Sequence, residues 1–229
     1  MKTRSYNQLC GLAYALDIVG ERWTMLIIRE LFAGPRRFTD LQAGLPGIST
    51  NLLSERLKDL EQNGVICRRV LPRPAGSTVY ELTPLGRGLE KALIELGKWG
   101  SQFVPSARDD AIMLNAGSYA LTLKTFFRPE KAQSLDETYE LHVDDEVLLV
   151  HIKDGELDVR QGESGSADAV LHTIVPTYLG LLTARVSLDE AVAGGLAQVE
   201  GDPKALERFF DICRIPLQDN RSTLQELVP

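Results

Sequence analysis

Residues 39–64, TDLQAGLPGISTNLLSERLKDLEQNG, constrain this chain more than any other stretch. A short helical segment stops at Pro46-Gly47, because proline cannot continue a helix and glycine turns the backbone. A longer segment begins beyond Ser49, a good N-cap, and stops at Asn63-Gly64, a good C-terminal stop. Stepping by ~100° per residue from Leu53, Leu57 and Leu60 fall within ~40° of it and form a stripe to be buried. Asn51, Ser54, Glu55, Lys58 and Gln62 fall on the opposite side, and Arg56 lies on the flank of the stripe.

The segments on either side extend this pair into a larger unit. Residues 11–19 read as a helix, with Leu12, Ala15, Leu16 and Val19 spaced for one face. Residues 21–32 read as a second helix carrying Trp23, Leu26, Ile27 and Leu31, ended by Ala33-Gly34-Pro35. Arg36-Arg37-Phe38 follow, and Thr39 is expected to cap the short helix. Beyond Gly64, residues 65–71 and 78–82 have strand character, with a turn at 72–77 between them. Thr83-Pro84 then opens a long helix with Leu85, Leu89, Ala92, Leu93, Leu96, Trp99 and Phe103 on one face.

A short helix, a glycine turn, a second helix and a hairpin make a winged helix-turn-helix. In such units the second helix enters the major groove and the hairpin lies beside the phosphates. Amides and short hydroxyls can read base edges, and cations neutralise phosphate. The expected DNA-contacting residues are Arg36, Arg37, Thr39, Ser49, Thr50, Asn51, Ser54, Lys58, Arg69 and Arg73. A polar outer face also suits a winged helix that docks proteins, and the pattern alone leaves that alternative open.

Charge supports two modules. Residues 1–104 hold 14 Lys and Arg against 10 Asp and Glu, net +4, whereas residues 105–229 hold 11 against 22, net -11. The basic half can meet a polyanion. The expected domains are therefore 1–104 and 105–229, joined near Pro105–Asp110. No apolar run approaches the ~18 residues of a membrane span. Residues 1–23 lack a signal peptide's apolar core, and Cys10, Cys67 and Cys213 are few and far apart, so a reducing, cytoplasmic setting without membrane partners is expected.

The acidic half alternates strand and helix patterns. Strands are expected at 138–143, 146–153, 156–161, 169–174 and 196–200, with helices at 111–127, 176–182, 188–193 and from Asp202-Pro203 to Cys213. This is an α+β arrangement: an antiparallel sheet covered by helices on one face. His142, His151 and His172 stand singly, and no metal-ligand spacing, phosphate loop or nucleophile elbow occurs, so neither catalysis nor a metal or cofactor is expected.

The first half resembles the HxlR family of bacterial winged-helix transcription regulators, relatives of the MarR group. The matching pieces are Cys10, Gly20-x-x-Trp23-Thr24, Gly34-x-x-Arg37-Phe38, Leu45-Pro46-Gly47-Ile48-Ser49, Leu53-Ser54-x-Arg56-Leu57-x-x-Leu60, Gly64-Val65-Ile66, Tyr80-x-Leu82-Thr83-Pro84-x-Gly86 and Trp99. The resemblance implies a homodimer, paired through the first helix and the long helix after the wing, on a two-fold double-stranded DNA operator. Some members sense oxidants or electrophiles through a cysteine at the place of Cys10, which makes it the candidate redox sensor; a small buried residue is the alternative.

Residues 139–213 resemble the sterol carrier protein type 2-like fold. The likeness rests on the strand pair around Asp154-Gly155, Ala167-Asp168-Ala169-Val170, residues 177–188, and Gly195-x-x-x-Val199-x-Gly201-Asp202. It implies a cavity for an apolar small-molecule ligand. The candidate lining is Phe126, Phe127, Tyr178, Leu179, Leu182, Phe209 and Phe210, a set that ordinary core packing would equally explain.

Overall fold

The computed structural model describes residues 5–72, 76–103 and 115–216. The chain falls into two compact units, divided between Leu93 and Ile94. The border expected at 104/105, with its Pro105–Asp110 connection, lies outside the described residues.

In the first unit α1 (Gly11–Val19) and α2 (Thr24–Phe32) precede α3 (Phe38–Gly44) and α4 (Thr50–Gln62). The hairpin β1 (Ile66–Val70) and β2 (Thr78–Leu82) follows, in antiparallel register from Ile66 opposite Leu82 to Val70 opposite Thr78. The second helix starts three residues later than expected, because Trp23 takes φ 79°, a left-handed conformation that a helix cannot include. The short helix starts at Phe38, and Thr39 does not cap it. Instead the Arg37 N–H donates to Asp40 Oδ2 at 3.1 Å, and the Thr39 hydroxyl donates to Asp40 Oδ1 at 3.3 Å.

The long helix expected after the wing is divided into α5 (Pro84–Arg87) and α6 (Glu90–Ser101), the latter running through the boundary between the units. Thr83 caps α5 by accepting the Gly86 N–H at 3.2 Å and donates its own hydroxyl to the Gly64 carbonyl at 2.6 Å. Gly86 lies so close to the entry of β1 that a Cβ there would stand 2.1 Å from the Val65 carbonyl oxygen. The core is Ile27, Ile28, Leu31, Leu41, Leu45, Leu53, Leu57 and Leu60, all buried.

In the second unit α7 (Ala116–Phe126) precedes β3 (Asp136–Val143), β4 (Glu146–Lys153), β5 (Glu156–Gln161) and β6 (Ala169–Thr173). Then come α8 (Val175–Leu182), α9 (Leu188–Ala193), β7 (Ala197–Gly201) and α10 (Pro203–Ile212). The strand order is β5-β4-β3-β6-β7, and β3 pairs with β6 in parallel. The expected antiparallel sheet is therefore a mixed one.

The reason is the segment 162–168, which carries the chain from the β5 edge past β4 and β3 rather than turning it back as a hairpin. Two carboxylates hold it. Glu140 Oε2 accepts the Ser164 N–H at 2.8 Å, and Asp168 Oδ2 accepts the Thr138 N–H at 2.7 Å while its own N–H donates to the Thr138 carbonyl at 2.8 Å.

Strand alternation sends Tyr139, Leu141, Val143, Leu148, Val150, Ile152, Val159 and Leu171 to the core side, where α7, α8 and α10 contribute Tyr119, Leu123, Tyr178, Leu182, Leu206 and Phe209. The other face carries Glu140, His142 and His172; the two imidazoles sit opposite each other on β3 and β6 and stack with centroids 4.3 Å apart.

Candidate nucleic-acid interface

The outer face of α4 is built from inside outward. Leu53, Leu57 and Leu60 anchor the helix in the core, and Ser49 Oγ accepts the Leu52 N–H at 3.3 Å as its N-cap. Asn51, Ser54 and Lys58, three and four residues apart, are thereby left exposed on one face. Thr50, at the same end, accepts a hydrogen bond from the Gln42 amide at 2.8 Å, which ties α3 to α4 across the Pro46-Gly47 turn. Arg56 on the flank pairs with Asp59 at 3.1 Å, Glu21 at 3.4 Å and Glu55 at 3.6 Å. Glu55 is thus drawn toward Arg56, which partly neutralises the carboxylate next to Ser54.

The ten expected DNA-contacting residues separate into groups. Thr39, Ser49, Thr50, Asn51, Ser54, Lys58 and Arg37 are exposed, although the Ser49 hydroxyl is committed to its cap. Arg36 corrects the expectation. It is only 7% exposed, and its N–H and carbonyl bridge the Tyr80 carbonyl and N–H at 3.0 and 2.7 Å, joining the α2–α3 connection to the hairpin. Buried there, it is not presented beside Arg37. Arg69 is exposed but held by Glu81, with Nε to Oε2 at 3.0 Å and Nη2 to Oε2 at 2.9 Å. Arg73 lies outside the described residues.

Sequence reasoning passed over Arg68 and Gln42. Arg68 pairs with Glu61 at 2.9 Å and lies 5.5 Å from the Tyr80 ring centroid. Its place opposite Tyr80 in the hairpin follows from the register, which the strand pattern alone did not supply.

Apolar side chains also remain uncovered. Leu12 is 68% and Trp99 61% exposed, and Leu9, Tyr14, Leu16, Leu85, Leu96 and Phe103 are exposed with them. Of the residues spaced for one face of the first helix, Val19 is buried, together with Ala13, whereas Leu12 and Leu16 are exposed. Trp99 and Phe103 pack edge to face, centroids 4.9 Å apart.

Cys10 is exposed at the N-terminal end of α1, where the backbone N–H groups of Ala13 and then Leu12 hold its thiol below the usual range. Cys67, beside Glu81, is pushed up by partial burial and that carboxylate, and burial pushes the Cys213 thiol up to about 12. Among the seven expected lining residues, Tyr178, Leu182, Phe209 and Phe210 are buried together, with Tyr178 6.2 Å and Phe209 5.2 Å from the Phe210 ring, whereas Phe126, Phe127 and Leu179 are half-buried. Among the described residues no helix is long and apolar enough to cross a membrane, and no cluster of three or more His, Cys, Asp or Glu could hold a metal ion.

With α3, the glycine turn, α4 and the paired β1 and β2, the first unit has the architecture of a winged helix-turn-helix. Residues 18–108 match the family described as HxlR-like helix-turn-helix. The HTH-type transcriptional regulator YvaP of Bacillus subtilis is 42% identical over 96 residues, 42% of this chain and 89% of that protein. YodB, an HTH-type transcriptional regulator of the same organism, is 40% identical over 98 residues, 42% of this chain and 88% of that protein. The reduced form of YodB is also similar as a structure, with 37% identity over 44% of this chain and 100% of that one and a TM-score of 0.38. The chain belongs to the HxlR-like helix-turn-helix family. Residues 127–218 match a second family, described as alkyl sulfatase C-terminal.

Proposed function

We propose that this chain is a bacterial transcriptional regulator that binds a two-fold DNA operator as a homodimer in the cytoplasm. The observation that carries the reading is the α4 face. Two amide or hydroxyl side chains and one lysine stand exposed on a helix whose other side is fixed by three buried leucines, and the family's relatives above are named transcriptional regulators. Asn51 and Ser54 would read base edges while Lys58 and Arg37 meet phosphates. Exposed apolar side chains on α1, and separately on α6, are where two copies would pair.

The acidic unit would stand away from the duplex, since its net charge repels phosphate. In this reading it takes an apolar small molecule and is not an enzyme, in keeping with the sterol carrier-like pattern of its sequence. Selection of bound fragments from randomly sheared bacterial DNA tests the whole reading. Two-fold related half-sites about one helical turn apart are expected, and recovery of fragments without a shared motif would reject it.

A second reading concerns Cys10. Its exposure and lowered thiol pKa favour a reactive thiolate, so we infer that oxidants or electrophiles adjust operator affinity through this residue. A Cys10→Ser variant would then bind operator equally well before and after peroxide treatment, while the unaltered protein would not.

A further inference from the structure

Two phenol hydroxyls in the second unit have no hydrogen-bond partner, and both are enclosed. Tyr119 on α7 is 2% exposed and Tyr178 on α8 is 1% exposed. Their rings meet edge to face, 5.3 Å between centroids. Buried polar groups are nearly always bonded, because leaving water unpaired is costly. One orphan hydroxyl could be an accident of packing. Two on adjoining rings, contributed by different helices, call for an acceptor that no described protein atom supplies.

The surroundings define that group. The Phe210 ring on α10 lies 6.2 Å from that of Tyr178, and Leu123, one turn along α7 from Tyr119, and Leu182, one turn along α8 from Tyr178, are buried as well, so the body of the guest is apolar. Burial, first of all, holds both phenols protonated far above the physiological range, so each offers an O–H to an acceptor. Asp144 in the β3–β4 turn and Glu146 at the start of β4 act on Tyr119, and the second half of the chain is net -11. An anionic head group would meet like charge there, and a cationic one would have to leave water for an apolar site.

We propose that Tyr119 and Tyr178 together bind the oxygen of an uncharged, mainly apolar small molecule, a ketone or alcohol on a hydrocarbon body, and discriminate against carboxylates of the same length. This deepens the ligand-binding part of the reading above by naming the ligand class and the residues that select it.

The test uses the full chain and a matched series: straight-chain ketones, primary alcohols and carboxylates of eight to twelve carbons. Ketones and alcohols should raise the melting temperature in proportion to the logarithm of their concentration, with carboxylates at least tenfold weaker. The Tyr119→Phe, Tyr178→Phe double variant keeps the rings and removes two unpaired hydroxyls, so it should fold at least as stably while losing about tenfold in affinity for the ketone. No shift with any neutral probe would mean that bound water alone satisfies the phenols, and would overturn the proposal. So would equal binding of carboxylates, or an affinity that the double variant leaves unchanged. Operator binding with and without the ketone separates the two levels. Tyrosine-dependent binding that leaves operator affinity unchanged upholds the site and removes its regulatory role. A ligand effect on operator affinity that survives in the double variant keeps the regulatory role and removes this site.

Discussion

Replacing Lys58 with alanine should flatten the salt dependence of DNA binding, and the structure says by how much relative to Arg69. Lys58 is exposed on the outer face of α4, one per subunit and two per bound dimer. Each lysine that meets a phosphate releases counterions worth a slope of about 0.9 in log affinity against log salt, so the variant dimer should lose about 1.8 in slope. Between ~50 and ~200 mM salt that amounts to about a twelvefold smaller fall in affinity. Arg69 is different, because Glu81 already occupies its guanidinium. Arg69→Ala should therefore change the slope less than Lys58→Ala, and Glu81→Gln should steepen it by releasing Arg69. Fluorescence anisotropy of a labelled duplex across salt concentrations reads all three. An unchanged slope in Lys58→Ala, or a larger effect from Arg69→Ala, would refute the assignment of phosphate contact to α4.

Helix capping, subunit pairing and carboxylate ionisation give three further tests. Ser49→Ala removes the N-cap of α4 and should lower the stability of the first unit by about 1 kcal/mol in denaturant unfolding, with Ser49→Asp retaining most of it. Trp99→Asp and Leu12→Asp place a charge among the exposed apolar side chains of α6 and α1 and should yield monomers by light scattering, whereas Leu12→Asp and Leu16→Asp forming intact dimers would remove α1 from the interface. For Glu140, burial pushes the carboxyl up, but the Ser164 N–H and His142 outweigh it and hold the group below the usual carboxylate range. A carboxyl lowered on folding stabilises fully above its unfolded pKa of ~4.5 and loses that contribution as pH falls through the lower folded value. The second unit should thus weaken as pH drops below ~4.5, and Glu140→Gln should blunt that drop in a pH series of thermal melts.

How much the sequence disclosed depended on whether the deciding contact was local. The cap at Ser49, the leucine stripe of α4 and the stop at Gly64 lie within sixteen residues of one another, and each was legible. Arg36 and Arg37 are indistinguishable as neighbours in a basic connection; only the bridge to Tyr80, far along the chain, buries one and exposes the other. The strands of the second unit were legible from alternation, but their order was not. A loop such as 162–168 suits a hairpin by composition, and the parallel pairing of β3 with β6 is settled by Glu140 with Ser164 and Asp168 with Thr138, contacts 24 and 30 residues apart. Tyr119 was missed because α7 has a glycine near its start and a weak apolar stripe, and nothing in its local sequence announces the Tyr178 ring it meets.

The central claim, that the α4 face reads a DNA sequence, is tested most directly by one affinity ratio. The dissociation constant for a selected duplex is compared with that for a duplex of the same length and composition in scrambled order, at ~150 mM salt. Sequence-specific binding predicts a ratio of about a thousandfold or more for the unaltered dimer. In Asn51→Ala it should fall by roughly tenfold or more, the loss of ~1–3 kcal/mol at one base pair per half-site. Equal affinity for the two duplexes, or a ratio that Asn51→Ala leaves intact, would contradict the account.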